Sequence, residues 1–420
     1  MSTGDSNGPF ERLLLRNIQK VIGDAPIGVS LGQRTDKASG DEGVSRLVIR
    51  DRKTMARMVL DPEVGFGDAY MEGGLEVDGD LVRFLEAASQ IMRSGRGKSW
   101  YNRLFGHWLR FAQGNTRSGS ARNIHHHYDL SNDFYKLWLD QKMVYTCAYF
   151  PAPTASLEEA QDAKLEHVCR KLQLQSGEKV AEAGCGWGSL ALYMAKHYRV
   201  KVRAFNISGE QIQYAQAQAK KEGLAGQVEF VQDDYRNISG GFDAFVSVGM
   251  LEHVGHEHYS ELAEVIGKAI GNTGRGLLHF IGRNRSQPFS TWIRKHVFPG
   301  AYAPTLREAL EIFEQNNYAV LDVENLRLHY AKTLEHWLER YERAVDQVRE
   351  MFGPEFVRMW RLYLAGSIAG FRVGTLQLFQ VVFAGPERQQ IPWTRTHLYA
   401  GEAGIAEEPG WEKEWTPARY

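Results

Sequence analysis

The sequence predicts an α/β protein: a mostly parallel, helix-covered sheet from about residue 121, preceded by a small α+β domain. Three observations carry this expectation. Apolar, strand-like runs (EKVAEAG, VKVRAFN, VEFVQ, FDAFVSV, GLLHFIG) alternate with helical periods (LALYMAKHY, EQIQYAQAQAKKEG, ELAEVIGKAIG). Such alternation lays strands in parallel and puts helices on both faces. A final apolar run, TLQLFQVVFAG, follows a long helical region at 329–372 and joins as an antiparallel neighbour. Upstream, VSRLVIRD and GLEVDG give short strand signals, divided by the turn-rich GQRTDKASGDEG.

In chain order, residues 1–90 read as the accessory domain and 91–120 as a basic, aromatic linker helix. Residues 121–400 follow as the main domain, and 401–420 as a loosely ordered tail. From Ala87 to Tyr128 there is no acidic residue, while Arg93, Arg96, Lys98, Arg103, Arg110, Arg117 and Arg122 fall there with Trp100, Tyr101, Phe105 and Trp108. WYNRLFGHWLRF places its aromatic and aliphatic residues near helical spacing. Two readings stay open: a linker helix docked on a neighbouring domain, or a helix lying aromatic side down on an anionic membrane surface.

Composition narrows the function. The 51 acids and 50 bases nearly cancel, so no global field points to nucleic acid. The start MSTGDSNGPFERLL lacks the apolar core of a signal peptide, and no stretch has the apolar length of a membrane span. Cys147, Cys169 and Cys185 are an odd set without C-x-x-C spacing, which suits a reducing cytoplasm and argues against disulfides or zinc. HHHY at 125–128 looks metal-like, but consecutive histidines cannot all face one ion, so no metal site is expected.

VAEAGCGWGSL leaves a strand, passes Gly184, Cys185, Gly186 and Gly188, and enters a helix, the turn that brings backbone close to a ligand above strand ends. Its spacing is not the G-x-G-x-x-G of dinucleotide binders. Glu182 just ahead could meet an ammonium but would repel a pyrophosphate. Strand two ends at AFNISGEQ, where Asn206, Ser208 and Gln211 could hold a ribose. Strand three ends at VQDDYR, where Asp234 and Tyr235 could take an adenine edge and face. Together these fit S-adenosylmethionine better than a nicotinamide dinucleotide in a Rossmann-like sheet.

Four further segments sharpen the reading: ARNIHHHYDLSNDFYKLWLDQKMVYTCAYF, SVGMLEHVG, LLHFIG and LHYAKTLEHW, followed by AGFRVGTLQLFQVVF. With them the chain resembles, from about residue 121 to 385, the cyclopropane-fatty-acyl-phospholipid synthases and their mycolic-acid cyclopropane synthase relatives. The amino-terminal part, with GFGDAYMEG, resembles the sterol-carrier-like accessory domain of the phospholipid-acting members.

The resemblance implies a class I methyltransferase sheet and S-adenosylmethionine-dependent addition of a methylene across a cis double bond of a membrane phospholipid acyl chain. It implies a carbocation deprotonated by a bound bicarbonate ion. Glu252 of MLEHVG, His279 and the Ile281 amide of LLHFIG, Tyr330 of LHYAKTL and Cys147 of YTCAYF would hold that ion. Tyr145 and Thr146 would touch the cofactor. Such a cation needs dry aromatic walls, for which Tyr149, Phe150, Tyr330 and Phe371 are candidates. A homodimer and a cytoplasmic location on the inner face of the membrane also follow from the likeness alone.

Cys147 has no neighbouring base and lies among aromatics that raise a thiol's pKa, so it reads as a pocket-lining group or an inert buried thiol rather than a nucleophile. Ser367 stands where family members carry a cysteine once proposed as catalytic. Asn206 replaces a threonine, Glu182 an aspartate, and Leu251 a commoner phenylalanine. The loop GRNRSQPFSTWIRKHVFPGAY, with Arg283, Arg285, Trp292, Arg294, Lys295 and Phe298, reads as a solvated surface loop, or as a headgroup contact or lid. Two other functions stay open: a lipid carbon methyltransferase that leaves a methyl or methylene branch without a ring, and a non-catalytic lipid-binding protein.

Overall fold

A computed structural model describes residues 26–32, 45–60, 64–93, 130–286 and 289–399. The aromatic, basic stretch at 98–112, HHHY at 125–128 and the tail 401–420 lie outside the described residues.

The larger sheet has seven strands in the order β6-β5-β4-β7-β8-β10-β9. These are β4 (Lys179–Ala183), β5 (Lys201–Asn206), β6 (Val228–Gln232), β7 (Ala244–Val248), β8 (Arg275–Gly282), β9 (Ala319–Asn325) and β10 (Gln377–Ala384). β4 to β8 pair in parallel, while β10 runs antiparallel to both β8 and β9. The mostly parallel sheet with its antiparallel last strand is the fold the sequence predicts. β10 is buried along its whole length, as its mostly apolar run, interrupted by Gln380, suits a strand flanked on both edges and covered on both faces. Next to it, Gly276 is obligatory, because a Cβ there would strike the Phe383 ring and the Phe245 carbonyl.

Two features of the second half depart from the sequence reading. β9 was not foreseen: its half-exposed edge pattern, AVLDVEN, lacks the continuous apolar run that marks the inner strands. The single helical region expected at 329–372 is three helices, Arg327–Arg343, Val345–Phe352 and Pro354–Val373. Gly353 (φ +86°) ends the second, and Pro354 starts the third at a position where the missing N–H is harmless.

At the amino-terminal side β1 (Ile27–Leu31), β2 (Ser45–Ile49) and β3 (Leu75–Asp78) form a small sheet, β1 parallel and β3 antiparallel to β2. The helix Leu81–Arg93 runs past residue 90 and packs on the helix Pro354–Val373. Arg358 of the latter helix reaches the small sheet, bonding the carbonyls of Tyr70 and Leu75 (2.8 Å to the second) and pairing with Glu76 at 3.0 Å. Asp68, buried in the accessory domain, accepts from Lys295 (3.0 Å) and His296 (2.8 Å). The elements around the small sheet and those of the larger α/β part contribute to one continuous apolar core. Among the described residues no helix is long and apolar enough to cross a membrane.

Candidate active site

The carboxyl ends of β4, β5 and β7 frame a cleft of about 130 Å³. After β4 the chain turns through Gly184 (φ +80°), Gly186 and Gly188 (φ +86°), which begins the helix Ser189–Tyr198. A Cβ on Gly188 would lie 2.6 Å from the Phe230 ring, so this position demands glycine both for space and for its backbone. The amides of Gly184 and Cys185 donate to the Phe205 carbonyl (2.9 and 3.1 Å), locking the turn onto β5. Tyr145, Thr146, Glu182, Gly184, Cys185, Gly186, Asn206 and Gln211 all line the cleft. Asn206 Nδ2 donates to Gln211 Oε1 at 2.6 Å, and Ser208 caps the next helix by accepting from the Gln211 amide. Gly188 and Ser208 thus shape the cleft without lining it.

Asp234 and Tyr235 do not line this cleft. Asp234 accepts from the Arg236 amide (3.0 Å) and guanidinium (3.1 Å), and that guanidinium lies 5.1 Å from the Tyr235 ring centroid.

The cleft also holds a residue the sequence reading missed. Lys164, from the helix Leu157–Leu172, is 2 % exposed and donates to Thr146 Oγ1 at 3.0 Å. Burial pulls its ammonium down to about 8, against the attraction of Asp140. Burial pushes the Glu182 carboxyl up to about 8, with Lys164 as the chief opposing charge. Glu182 Oε2 is buried without a hydrogen-bond partner, an acceptor that a ligand ammonium would satisfy. A lysine in QDAKLEHV reads as an ordinary helix residue; nothing in its spacing marks it as a cleft residue.

A second, larger cavity of about 630 Å³ adjoins the first. Tyr145, Thr146, Gly249 and His253 line both, so the two spaces meet there. Gly249 (φ +75°) keeps the junction open, since a Cβ would sit 2.8 Å from Thr146 Cγ2. The larger cavity is apolar, walled by Phe66, Phe84 and Leu85 of the accessory domain and by Ile293 and Phe298 of the 283–303 segment. Leu334, Leu362 and Phe371 close it from the helices behind. Its volume falls in the range of small-molecule sites. Tyr330 and Phe371 are walls, their centroids 4.7 Å apart. Tyr149 and Phe150 are not: Tyr149 is stacked between His167 and His329, and Phe150 on His336.

Glu252, Ile281 and Tyr330 line this cavity beside the junction. Glu252 sits in the turn Leu251–His253 after β7, and its Oε1 accepts from the Ile281 amide at 2.5 Å. Its Oε2 is buried and has no hydrogen-bond partner. Burial pushes this carboxyl up to about 7, although the Ile281 amide pulls the other way. His279, two residues before Ile281 on β8, is 2 % exposed and lines neither cavity. Burial drives its imidazole well below the ordinary value, so the ring is neutral. Cys147 is fully buried, lines neither cavity and directs its thiol at the Ala148 carbonyl, 3.1 Å away. Burial raises that thiol's pKa far above the thiolate range. Among the described residues no group of three or more His, Cys, Asp or Glu side chains is placed to hold a metal ion.

Two expected outcomes follow from these groups. Cys147→Ser keeps turnover within about tenfold of the parent, and the folded parent resists iodoacetamide at Cys147, because no thiolate forms there. Complete inactivation of the folded variant would contradict this.

The second concerns Glu252 and stability. In the unfolded chain the carboxyl ionises near 4.5; in the fold it does so near 7. The folded state therefore favours the protonated form. That stabilisation is fully present below pH 4.5 and is lost as pH rises through 7. Glu252→Gln cannot ionise, so its stability relative to the parent should rise between pH 5 and pH 8, by about 2–3 kcal/mol. Urea unfolding at pH 5 and pH 8 reads this directly, and a gap equal at both would contradict it.

Comparison with known proteins gives a consistent result. The family model described as mycolic acid cyclopropane synthetase matches residues 115–381. A probable fatty acid methyltransferase of Pseudomonas putida is 34% identical over 367 residues, covering 84% of this chain and 91% of its own. The cyclopropane-fatty-acyl-phospholipid synthase of Escherichia coli K12 is 37% identical over 337 residues, covering 78% and 85%. The solved structure of mycolic acid cyclopropane synthase CmaA1 complexed with SAH and CTAB superposes with a TM-score of 0.60 at 30% identity, covering 63% of this chain and 97% of that one.

Proposed function

Because the chain belongs to the mycolic acid cyclopropane synthetase family, whose methyl donor is S-adenosylmethionine, we propose that it adds a methylene across a cis double bond of an unsaturated phospholipid acyl chain, leaving a cyclopropane ring. The observation that carries this reading is the junction at Tyr145, Thr146, Gly249 and His253, where a polar cleft opens into an apolar cavity with Glu252 on its wall.

Each side of the junction suits one reactant. Bound in the cleft, S-adenosylmethionine supplies an electrophilic sulfonium methyl. Glu182 would meet its ammonium, the backbone of Gly184 and Gly186 its amino-acid portion, and Asn206 and Gln211 its ribose. The apolar cavity excludes water from the acyl chain, so positive charge developing there is not quenched by solvent. The ring faces of Tyr330 and Phe371 favour that charge.

Removal of a proton from the transferred carbon then needs a held base. Bicarbonate would supply it: Glu252 Oε2 is an acceptor without a donor, and this ion brings an O–H. Tyr330 and the Ile281 amide would complete its contacts from the cavity wall; on family likeness the His279 ring, which stands behind that wall rather than in it, would reach the ion too, with Cys147 further back. The Ile281 N–H now serves Glu252, so the carboxylate would share it.

The lipid reading extends to the membrane surface. Arg283 is buried in the wall of the apolar cavity, its guanidinium 4.8 Å from the Phe289 ring centroid, a cation suited to a headgroup phosphate. An anionic membrane face in the cytoplasm is the proposed workplace. A homodimer remains part of the proposal on family likeness.

A second reading accords with the name of the Pseudomonas putida relative, a probable fatty acid methyltransferase: methyl transfer to an acyl carbon, which we would expect to leave a branch without ring closure. One assay separates the readings. Labelled S-adenosylmethionine is incubated with vesicles of cis-monounsaturated or fully saturated phospholipid, and the acyl chains are analysed by mass and proton NMR. Label in the unsaturated chains alone, with high-field ring protons, is expected. Olefinic protons with a methyl branch would favour the second reading, and no transfer to lipid would remove both.

A further inference from the structure

Three neighbouring strands carry polar side chains opposite one another across the sheet. Gln380 of β10 stands opposite His279 of β8 on one side and Glu324 of β9 on the other. Glu324 is already engaged, accepting from His167 Nε2 (2.8 Å) and Lys171 Nζ (2.7 Å). Its carboxylate is thus turned to the helix Leu157–Leu172. The side chain that meets the imidazole is the neutral amide of Gln380, fully buried, with Nε2 3.0 Å from His279 Nδ1.

That contact fixes a proton. An amide N–H pointed at Nδ1 requires a lone pair there, so the ring hydrogen lies on Nε2. Gln380 Oε1 has no hydrogen-bond partner. The reversed amide would put two N–H donors in that position instead, and orphaned donors are rarer in proteins than under-satisfied carbonyls. A carboxylate in place of the amide would reverse the tautomer and draw the ring toward the imidazolium.

We propose that Gln380 is a positioning residue for the reaction: its Nε2 donates to Nδ1 of His279 and holds the imidazole neutral with its proton on Nε2, so that the ring offers a hydrogen-bond donor to the base site without becoming an acid. This rests on the reading of His279 as a member of that site. The charges acting on the ring are Lys164, Lys171 and Glu324, two of which are tied to each other. The amide keeps the Glu324 carboxylate from reaching the ring directly.

The test uses the full chain with ¹⁵N-labelled histidine. Long-range ¹H–¹⁵N spectra of the parent protein, with His279 signals assigned by their loss in His279→Asn, should show a bare Nδ1 and a protonated Nε2 that do not titrate between pH 6 and 9. A protonated Nδ1 in the parent overturns the proposal with no variant needed. Gln380→Glu should move the proton to Nδ1, make the ring titrate within that range, and lower turnover by about 10–100-fold with cofactor affinity unchanged. Gln380→Met, close in volume and apolar, covers a failure of the acid to fold; it should leave a mixture of tautomers and a similar loss. If the tautomer shifts but turnover does not, while Glu252→Gln still inactivates, the proposal fails and the base-site reading stands. Unchanged turnover in all of them removes the base-site reading itself.

Discussion

Glu252→Gln is expected to lower turnover by about 10²–10⁴-fold while leaving S-adenosylmethionine affinity within a factor of about two, the pattern of a lost base-positioning group rather than a lost binding group. The amide can keep the bond its Oε1 equivalent makes to the Ile281 N–H, so the turn after β7 should hold its shape. What changes is Oε2, the buried acceptor with no donor, which becomes an N–H₂ group. A donor facing the base site cannot hold the hydroxyl of the ion and repels any proton source brought there. Glu252 lines the apolar cavity and not the cofactor cleft, so calorimetric binding of the cofactor should barely move. Equal losses of affinity and turnover would instead place Glu252 in cofactor binding.

Gly366→Phe should abolish transfer to long acyl chains, by about 10²-fold or more, without loss of fold or of cofactor binding. Gly366 lies inside the helix Pro354–Val373 and lines the apolar cavity. A Cβ built on it meets no heavy atom within 4 Å, so the new side chain enters empty space rather than packed core. Replacing a mid-helix glycine by phenylalanine, a somewhat better helix former, also recovers about 0.5 kcal/mol of helix propensity. The ring then occupies the volume an acyl chain needs. A thermal midpoint equal to or above that of the parent, intact cofactor affinity and lost turnover on phospholipid vesicles is the expected triad. Full activity on those vesicles would show that the chain binds elsewhere.

What was legible in the sequence was what is contiguous. The turn from Gly184 to Gly188, the MLEHVG and LLHFIG pieces and the YTCAYF segment each put their residues within a few positions of one another, and the structure brings Glu252 to the Ile281 amide. The mostly apolar runs of the inner strands gave the parallel sheet and its antiparallel last member. β9 escaped because Asp322, Glu324 and Asn325 in its second half make an edge strand look like surface. Lys164 and Gln380 escaped because each reaches its partner from a distant part of the chain, 18 and 101 residues away. Asp234 and Tyr235 stand outside the cleft lining, and the next residue, Arg236, hydrogen-bonds the first and lies over the ring of the second. The share of the cavity wall given by Phe66, Phe84 and Leu85 had no signal at all, since docking of one domain on another leaves no periodicity in either.

The central claim is that a base held by Glu252 takes a proton from the very carbon that S-adenosylmethionine delivers. Supplying the cofactor with a trideuterated methyl group and counting label in the product acyl chain tests it. Two retained deuterons in a ring with no double bond are expected, the third having been lost as the ring closed. Three retained deuterons on a branch would mean that the proton came from the acyl chain, and that the geometry around Glu252 serves a different chemistry.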